Sequence, residues 1–174
     1  GNAPFLIFED ADLEKAAEGA IASKFRNAGQ TCVCTNRIYV QKSVAKKFAE
    51  IIAEKMKLLV VGNGLHQGVN IGPLIDHQAI EKVEDQIADA LQKGAKLICG
   101  GSRLTEGEYA KGTFFEPTVL LHTTQDMKIS REETFGPVAP IFEFETEEEV
   151  IQKANDTEFG LASYVFTQNL SRMF

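Results

Sequence analysis

The sequence has 174 residues and 44% hydrophobic content, which suffices for one sizeable core but is short for two typical domains. The formal net charge of −7, with no basic stripe carrying interleaved aromatic residues, argues against a nucleic-acid-binding surface. The longest apolar runs are interrupted by lysine or glutamate, so no membrane span is predicted and a cytoplasmic location is expected. The cysteines and histidines do not have the spacing of a zinc site, so no metal is expected.

Strand and helix patterns alternate along the chain. Helices are predicted where apolar residues recur at helical spacing, and strands where short apolar runs lie between them. The predicted strands are 4–9, 37–41, 96–99, 114–119, 138–144 and 161–166, and the predicted helices run from 10 to about 27, from 43 to before 62, from about 80 to 93, and from 146 to about 154. Helices of this length between apolar strands predict an α/β fold with a largely parallel sheet and helices on its faces.

The first helix and the residues after it place a thiol on a tight connection. Asp10 is the predicted N-cap, and Gly29 permits a positive φ angle that ends the helix. Cys32 then lies just before the strand at 37–41, where exposed backbone N–H groups could stabilise a thiolate or an oxyanion. From spacing alone, the alternative that Cys32 and Cys34 are small core residues stays open, because cysteine is among the most buried residue types.

Three other residues have both a functional and a plain structural interpretation. Arg26 could hold a carboxylate through two parallel hydrogen bonds, or it could form a surface salt bridge at the helix end. Glu133 could accept hydrogen bonds from the hydroxyls of a ribose, with Phe135 packed beside it. Taken alone, these two residues are more typical of a turn before Gly136 and the strand that follows.

Four segments, in order, resemble motifs of the NAD(P)-dependent aldehyde dehydrogenases. They are 1–5 (Gly-Asn-Ala-Pro-Phe), 24–34 (Lys-Phe-Arg-Asn-Ala-Gly-Gln-Thr-Cys-Val-Cys), 132–137 (Glu-Glu-Thr-Phe-Gly-Pro) and 155–162 (Asn-Asp-Thr-Glu-Phe-Gly-Leu-Ala). Together they span nearly the whole chain, and segment 24–34 is most similar to the succinate-semialdehyde dehydrogenases. Four collinear motifs are far more specific than any one of them.

The resemblance implies a role for each candidate residue. Cys32 would be the nucleophile, Arg26 would bind the distal carboxylate of the substrate, and Glu133 with Phe135 would contact the nicotinamide ribose of NAD or NADP. The substrate would be a small aldehyde, succinate semialdehyde first, and the intact enzyme would be a homo-oligomer. Residues 1–174 would then form part of the catalytic domain. The cofactor-binding domain, the general-base glutamate and a C-terminal segment would lie outside it, so the chain alone is expected to be inactive.

Several alternatives stay open at this stage. Cys34 could form a small, strained disulfide with Cys32 that blocks the nucleophile, or it could be an inert packed thiol. The substrate could be glutarate semialdehyde or another aldehyde. The chain could also be a non-catalytic interaction module, or a thioesterase or acyltransferase in which Cys32 needs a histidine base close by in space.

Overall fold

The structure is a computed structural model, and it describes residues 1–172. It contains a six-stranded sheet, a two-stranded ribbon and five α-helices. The strands are β1 (Ala3–Ile7), β2 (Thr35–Gln41), β3 (Lys96–Cys99), β4 (Arg103–Leu104), β5 (Phe114–Phe115), β6 (Thr118–Thr123), β7 (Val138–Phe144) and β8 (Tyr164–Phe166). The helices are α1 (Leu13–Lys24), α2 (Lys42–Met56), α3 (His77–Gln92), α4 (Lys128–Arg131) and α5 (Glu147–Asn155).

The main sheet is largely parallel. Its strand order is β3-β6-β7-β2-β1-β8. Strand β1 pairs in parallel with β2 and β8, and β7 pairs in parallel with β2 and β6. Strand β3 runs antiparallel to β6 at one edge. This arrangement confirms the predicted α/β class with a largely parallel sheet.

Helices cover both faces of the sheet, because side chains alternate between the faces along each strand. One face carries Phe5 and Ile38, which belong to a large buried cluster together with apolar residues of α1, α2 and α3. The other face carries Leu6 and Tyr39, which pack in a smaller cluster with Val150 of α5. Burial on both faces explains why the sequences of β1 and β7 are almost continuously apolar.

Two predicted details are wrong. The N-cap of α1 is Asp12, whose Oδ1 accepts from the Lys15 N–H at 3.2 Å, because the helix begins at Leu13. Asp10 instead accepts from Thr167 Oγ1 and from Arg172 Nη1, far along the chain. The strand predicted at 114–119 is two strands, β5 and β6, since Pro117 interrupts the ladder between them.

Other boundaries shift by a few residues. Strands β1 and β8 are shorter than the predicted 4–9 and 161–166. The predicted cap of α5 is confirmed: Thr146 Oγ1 accepts from the Glu149 N–H at 3.2 Å. The Glu149 carboxylate accepts a hydrogen bond from the Glu145 N–H at 2.7 Å, one residue before the cap. Among residues 1–172, no helix has the length and apolar character needed to cross a membrane.

The connection from α1 to β2 turns through left-handed backbone. Asn27, Ala28 and Gly29 have φ angles of 52°, 56° and 79° in succession. A Cβ atom on Gly29 would lie 2.1 Å from the carbonyl oxygen of Gly136, in the segment before β7. Glycine is therefore required here for two reasons: the φ angle, and the contact between two backbones.

We expect Gly29→Ala to lower the free energy of unfolding by at least about 2 kcal/mol, because the strain of the left-handed φ angle is added to the clash of the new Cβ with the Gly136 backbone. Urea unfolding measures the loss. The matched control is Gly68→Ala, since Gly68 also has a positive φ angle, 86°, but no atom within 4 Å of an added Cβ. Equal losses in the two variants would contradict a contribution from the Gly29–Gly136 contact.

Candidate active site

The predicted site residues lie at one edge of the main sheet. Because β1, β2, β7 and β8 are parallel, their amino ends lie at the same edge. The residues just before these strands are Gly1 and Asn2, the turn at 31–34, the segment 133–137 and the segment 160–163. The sheet therefore gathers all four resembling segments at a single edge.

Cys32 lies in a β-turn formed by residues 31–34. The turn is closed by the Cys34 N–H, which donates to the Thr31 carbonyl at 3.1 Å. The Cys32 side chain is exposed, and within residues 1–172 its own N–H has no hydrogen-bond acceptor. The hydroxyl of Tyr164 in β8 donates to the Val33 carbonyl at 2.8 Å and holds the turn against the sheet. An exposed thiol beside a free N–H suits addition to a carbonyl carbon.

Gly1, Cys32 and Glu133 are brought together. A Cβ atom on Gly1 would lie 2.4 Å from the Cys32 carbonyl oxygen, so only glycine allows the two backbones to approach this closely. The Gly1 backbone nitrogen donates to Glu133 Oε1 at 2.7 Å. The Glu133 side chain is 24% exposed, and within residues 1–172 its Oε2 has no hydrogen-bond donor. One carboxylate oxygen is therefore free to accept from a ligand.

Phe135 and Arg26 are both accessible. Phe135 has a left-handed φ of 51° and a side chain that is 38% exposed, two residues after Glu133. Arg26 directly precedes the left-handed residues 27–29 and is exposed. In the part of the chain that the structure describes, no carboxylate lies within salt-bridge distance of Arg26, so the surface ion pair considered above is not formed there.

The two other cysteines differ sharply from Cys32. Cys34 is fully buried, with its sulfur 2.7 Å from Thr31 Oγ1 and donating to the Lys24 carbonyl at 3.7 Å. Cys99 is partly buried at the end of β3, and burial raises the pKa of its thiol. All three thiols are free. The redox pairing of Cys32 with Cys34 stays a prediction.

The segment 155–162 lines an open cleft of about 370 Å³. The cleft is lined by Asn155 and Phe159 of this segment and by Asn2 and Pro4, at the amino end of β1. The fourth resembling segment therefore borders the same edge of the sheet as Cys32.

The histidines do not form a base for Cys32. His122 pairs with Glu143 at 3.2 Å, near the carboxyl ends of β6 and β7. Within residues 1–172 no histidine is hydrogen-bonded to Cys32, and no group of three or more histidine, cysteine or acidic side chains could hold a metal ion. The geometry thus gives no support to a cysteine–histidine thioesterase.

Two buried cations beside the site were not predicted. Lys24 is fully buried, and its Nζ donates to Asn36 Oδ1 at 3.0 Å. Burial lowers the pKa of Lys24 to about 8, although the nearby Cys34 and Glu133 partly oppose the shift. The sequence carried a signal, because Lys24 follows Ala20 by four residues on the apolar stripe of α1.

Arg37 is the second buried cation. Its Nε donates to the Asn2 carbonyl at 3.0 Å, and its Nη2 donates to the Ala154 carbonyl at 2.9 Å, at the end of α5. Arg37 thereby ties β2 to the residue before β1 and to a helix C-terminus, where a cation is favoured. The signal in the sequence was a basic residue on the same strand face as buried Tyr39.

A family model described as "Aldehyde dehydrogenase family" matches residues 1–174. The chain is 58% identical over 174 residues to succinate-semialdehyde dehydrogenase [NADP(+)] GabD of Escherichia coli (strain K12). It is 57% identical over 173 residues to 3-sulfolactaldehyde dehydrogenase of Pseudomonas putida, and 54% identical over 174 residues to glutarate-semialdehyde dehydrogenase of Pseudomonas putida (strain KT2440).

These matches cover 99–100% of this chain but only 35% of each relative, so the chain spans about a third of their length. Among solved structures, the succinate-semialdehyde dehydrogenase from Burkholderia pseudomallei superposes with a TM-score of 0.95 at 54% identity. The match covers 99% of this chain and 35% of the Burkholderia pseudomallei chain. The predicted family resemblance is confirmed.

Iodoacetamide at neutral pH should alkylate Cys32 at least about tenfold faster than Cys34 or Cys99, because Cys32 alone is exposed and the raised pKa of Cys99 lowers its thiolate fraction. Peptide mass spectrometry over a time course measures all three rates in one sample, so Cys34 and Cys99 are internal controls. Alkylation of Cys34 as fast as that of Cys32 would show that the turn does not present Cys32 selectively.

Proposed function

Because the chain belongs to the aldehyde dehydrogenase family, we propose that the protein containing it oxidises an anionic aldehyde, succinate semialdehyde first, to the acid. The observation that carries this proposal is the juxtaposition at the amino edge of the sheet. The exposed Cys32 thiol lies on a turn that contacts Gly1, and Gly1 in turn contacts the half-buried Glu133. A nucleophile and a free carboxylate oxygen therefore share one site.

Cys32 provides the covalent step. Its thiolate adds to the aldehyde carbon, and the oxygen that becomes negative can accept from the free Cys32 N–H. After the aldehyde carbon has lost its hydride, the acyl group is held on Cys32 as a thioester. Water then cleaves the carbon–sulfur bond, releasing the acid and returning the thiol. We assign the base that activates this water to a glutamate outside this chain, as the family resemblance implies.

The chain contributes two residues to a nicotinamide dinucleotide site in this proposal. The unpartnered Oε2 of Glu133 suits a ribose hydroxyl, and the exposed ring of Phe135 offers an apolar surface beside it. When bound, the cofactor supplies the acceptor for the hydride. Similarity to relatives whose names specify NADP(+) favours that form of the cofactor. The homo-oligomer and the cytoplasmic location stay predictions from the family resemblance.

Arg26 is the proposed contact for the distal anion of the substrate. Its exposed guanidinium is free of a carboxylate partner within residues 1–172, so it can take up a ligand without first breaking an ion pair. Relatives at similar identity are named for succinate semialdehyde, glutarate semialdehyde and 3-sulfolactaldehyde. All three aldehydes carry an anionic group, so glutarate semialdehyde and a sulfonated aldehyde are the second candidates.

In the whole protein, Arg26→Ala should lower kcat/KM for succinate semialdehyde by at least about tenfold, because two charge-assisted hydrogen bonds are lost. Arg26→Lys, which keeps the charge but not the fork, should lose less. Steady-state kinetics with succinate semialdehyde, glutarate semialdehyde and an uncharged aldehyde of similar size measure the effect.

Arg103→Ala is the control for Arg26, since Arg103 is an exposed arginine of β4 that pairs with Glu84. A kcat/KM for the uncharged aldehyde equal to that for succinate semialdehyde, with both unchanged by Arg26→Ala, would contradict an anionic substrate. Activity that survives Cys32→Ser on all three aldehydes would contradict the proposed function itself.

Glu133→Gln should raise the KM for NADP+ by about tenfold, because the amide replaces one acceptor oxygen with a donor at the proposed ribose contact. Glu132→Gln is the matched control, since the neighbouring Glu132 side chain is exposed. Cofactor titration at saturating aldehyde measures both variants. A KM in Glu133→Gln within twofold of that in Glu132→Gln would rule out the contact.

A further inference from the structure

Lys24 is a buried cation that the proposed mechanism does not use. Its side chain is completely inaccessible to solvent at the end of α1, eight residues before Cys32. The groups that face it are Cys34, from the turn, and Glu133, from the segment before β7, together with the amide of Asn36 at the start of β2. Three of the elements that form the site therefore surround one ammonium group.

Burying this charge is costly. An ammonium group removed from water loses its favourable hydration, and a well-packed apolar side chain of similar volume often serves stability equally well or better. Lys24 occupies a position on the apolar stripe of α1 that such a residue could fill. A buried lysine at this position therefore calls for a role other than packing.

The role follows from the chemistry of the Lys24–Asn36 hydrogen bond. An ammonium group has three donors and no acceptor, so it must face the oxygen of the Asn36 amide and not its nitrogen. The pKa of Lys24, lowered to about 8 by burial, still leaves the ammonium as the main form at neutral pH. The orientation of the Asn36 amide is thereby determined.

That orientation directs the Asn36 Nδ2 toward two carbonyl groups. Nδ2 donates to the Gly1 carbonyl at 3.4 Å and to the Cys34 carbonyl at 3.3 Å. Cys34 closes the turn that carries Cys32, and Gly1 is the residue whose backbone contacts Cys32. One amide group therefore joins the two backbone segments on either side of the thiol.

We propose that Lys24 is a positioning residue for Cys32: by orienting the Asn36 amide, it holds the turn at 31–34 at a set distance from Gly1. This inference rests on the proposed function in one respect, that Cys32 is the nucleophile. Without the ammonium, the Asn36 amide can rotate and release both carbonyl groups, so that the thiol is no longer held in the position for attack.

The test compares three variants of the whole protein. Lys24→Met removes the donor at similar side-chain length. Asn36→Asp keeps an acceptor for Lys24 but has no Nδ2 to donate to Gly1 and Cys34. Lys15→Met is the matched control, since Lys15 is an exposed lysine on the same helix.

The first measurement is amide hydrogen exchange of the peptide that contains residues 31–34. Exchange of the Cys34 N–H should be at least about tenfold faster in Lys24→Met and in Asn36→Asp than in the unchanged protein, and unchanged in Lys15→Met. This measurement does not depend on aldehyde oxidation. It therefore tests whether Lys24 and Asn36 hold the turn at 31–34 even if the proposed function fails. Exchange at the unchanged rate in Asn36→Asp would overturn the inference.

The second measurement is the kinetics with succinate semialdehyde. The kcat should fall by at least about tenfold in Lys24→Met and Asn36→Asp, while the KM stays within about twofold, since the substrate contacts are kept. A merely structural role predicts otherwise: Asn36→Asp, which pairs the buried ammonium with a carboxylate, would retain kcat. Should Lys24→Met fail to fold, Asn36→Asp alone decides, and a kcat within twofold of the unchanged protein overturns the inference.

Discussion

Parallel pairing of β1, β2 and β7 is the constraint on which the site depends. Parallel strands place their amino ends at one edge, and each of the segments that carry Gly1, Cys32 and Glu133 immediately precedes one of these strands. Ligands of open α/β sheets usually bind outside the carboxyl ends of the strands. Here the candidate active site lies at the opposite edge, because the reactive residues precede their strands.

Close approach of backbone to backbone completes this arrangement. Gly29 contacts Gly136, and Gly1 contacts Cys32, at distances that no Cβ atom would allow. The residues around these contacts include Ala28 and Phe135, both held at positive φ angles that L-residues rarely adopt. Such strain persists only where the surrounding structure compensates for it, and here it occurs in the two segments that carry the candidate nucleophile and the candidate cofactor contact.

Buried cations stabilise the same edge of the sheet. Arg37 donates to the carbonyls of Asn2 and Ala154, and Lys24 acts through Asn36 on those of Gly1 and Cys34. Carbonyl groups of irregular segments lack the partners that a strand or helix supplies, so long basic side chains satisfy them directly or through an amide. The accessible side chains of Cys32 and Arg26 thus make no structural contacts of this kind, whereas the buried side chains of Lys24 and Arg37 do.

The α/β class, the cap of α5 and the exposed connection of Cys32 follow from the sequence by itself, because they depend on periodicity and on residues a few positions apart. The family, too, was recognisable from four short motifs. Only the tertiary structure decided that Asp12 and not Asp10 caps α1, since Asp10 is engaged by Thr167 and Arg172. It alone also decided the burial of Lys24 and the contact of Gly1 with Cys32. These depend on which strands become neighbours, and strand pairing is set by contacts between residues distant in the chain.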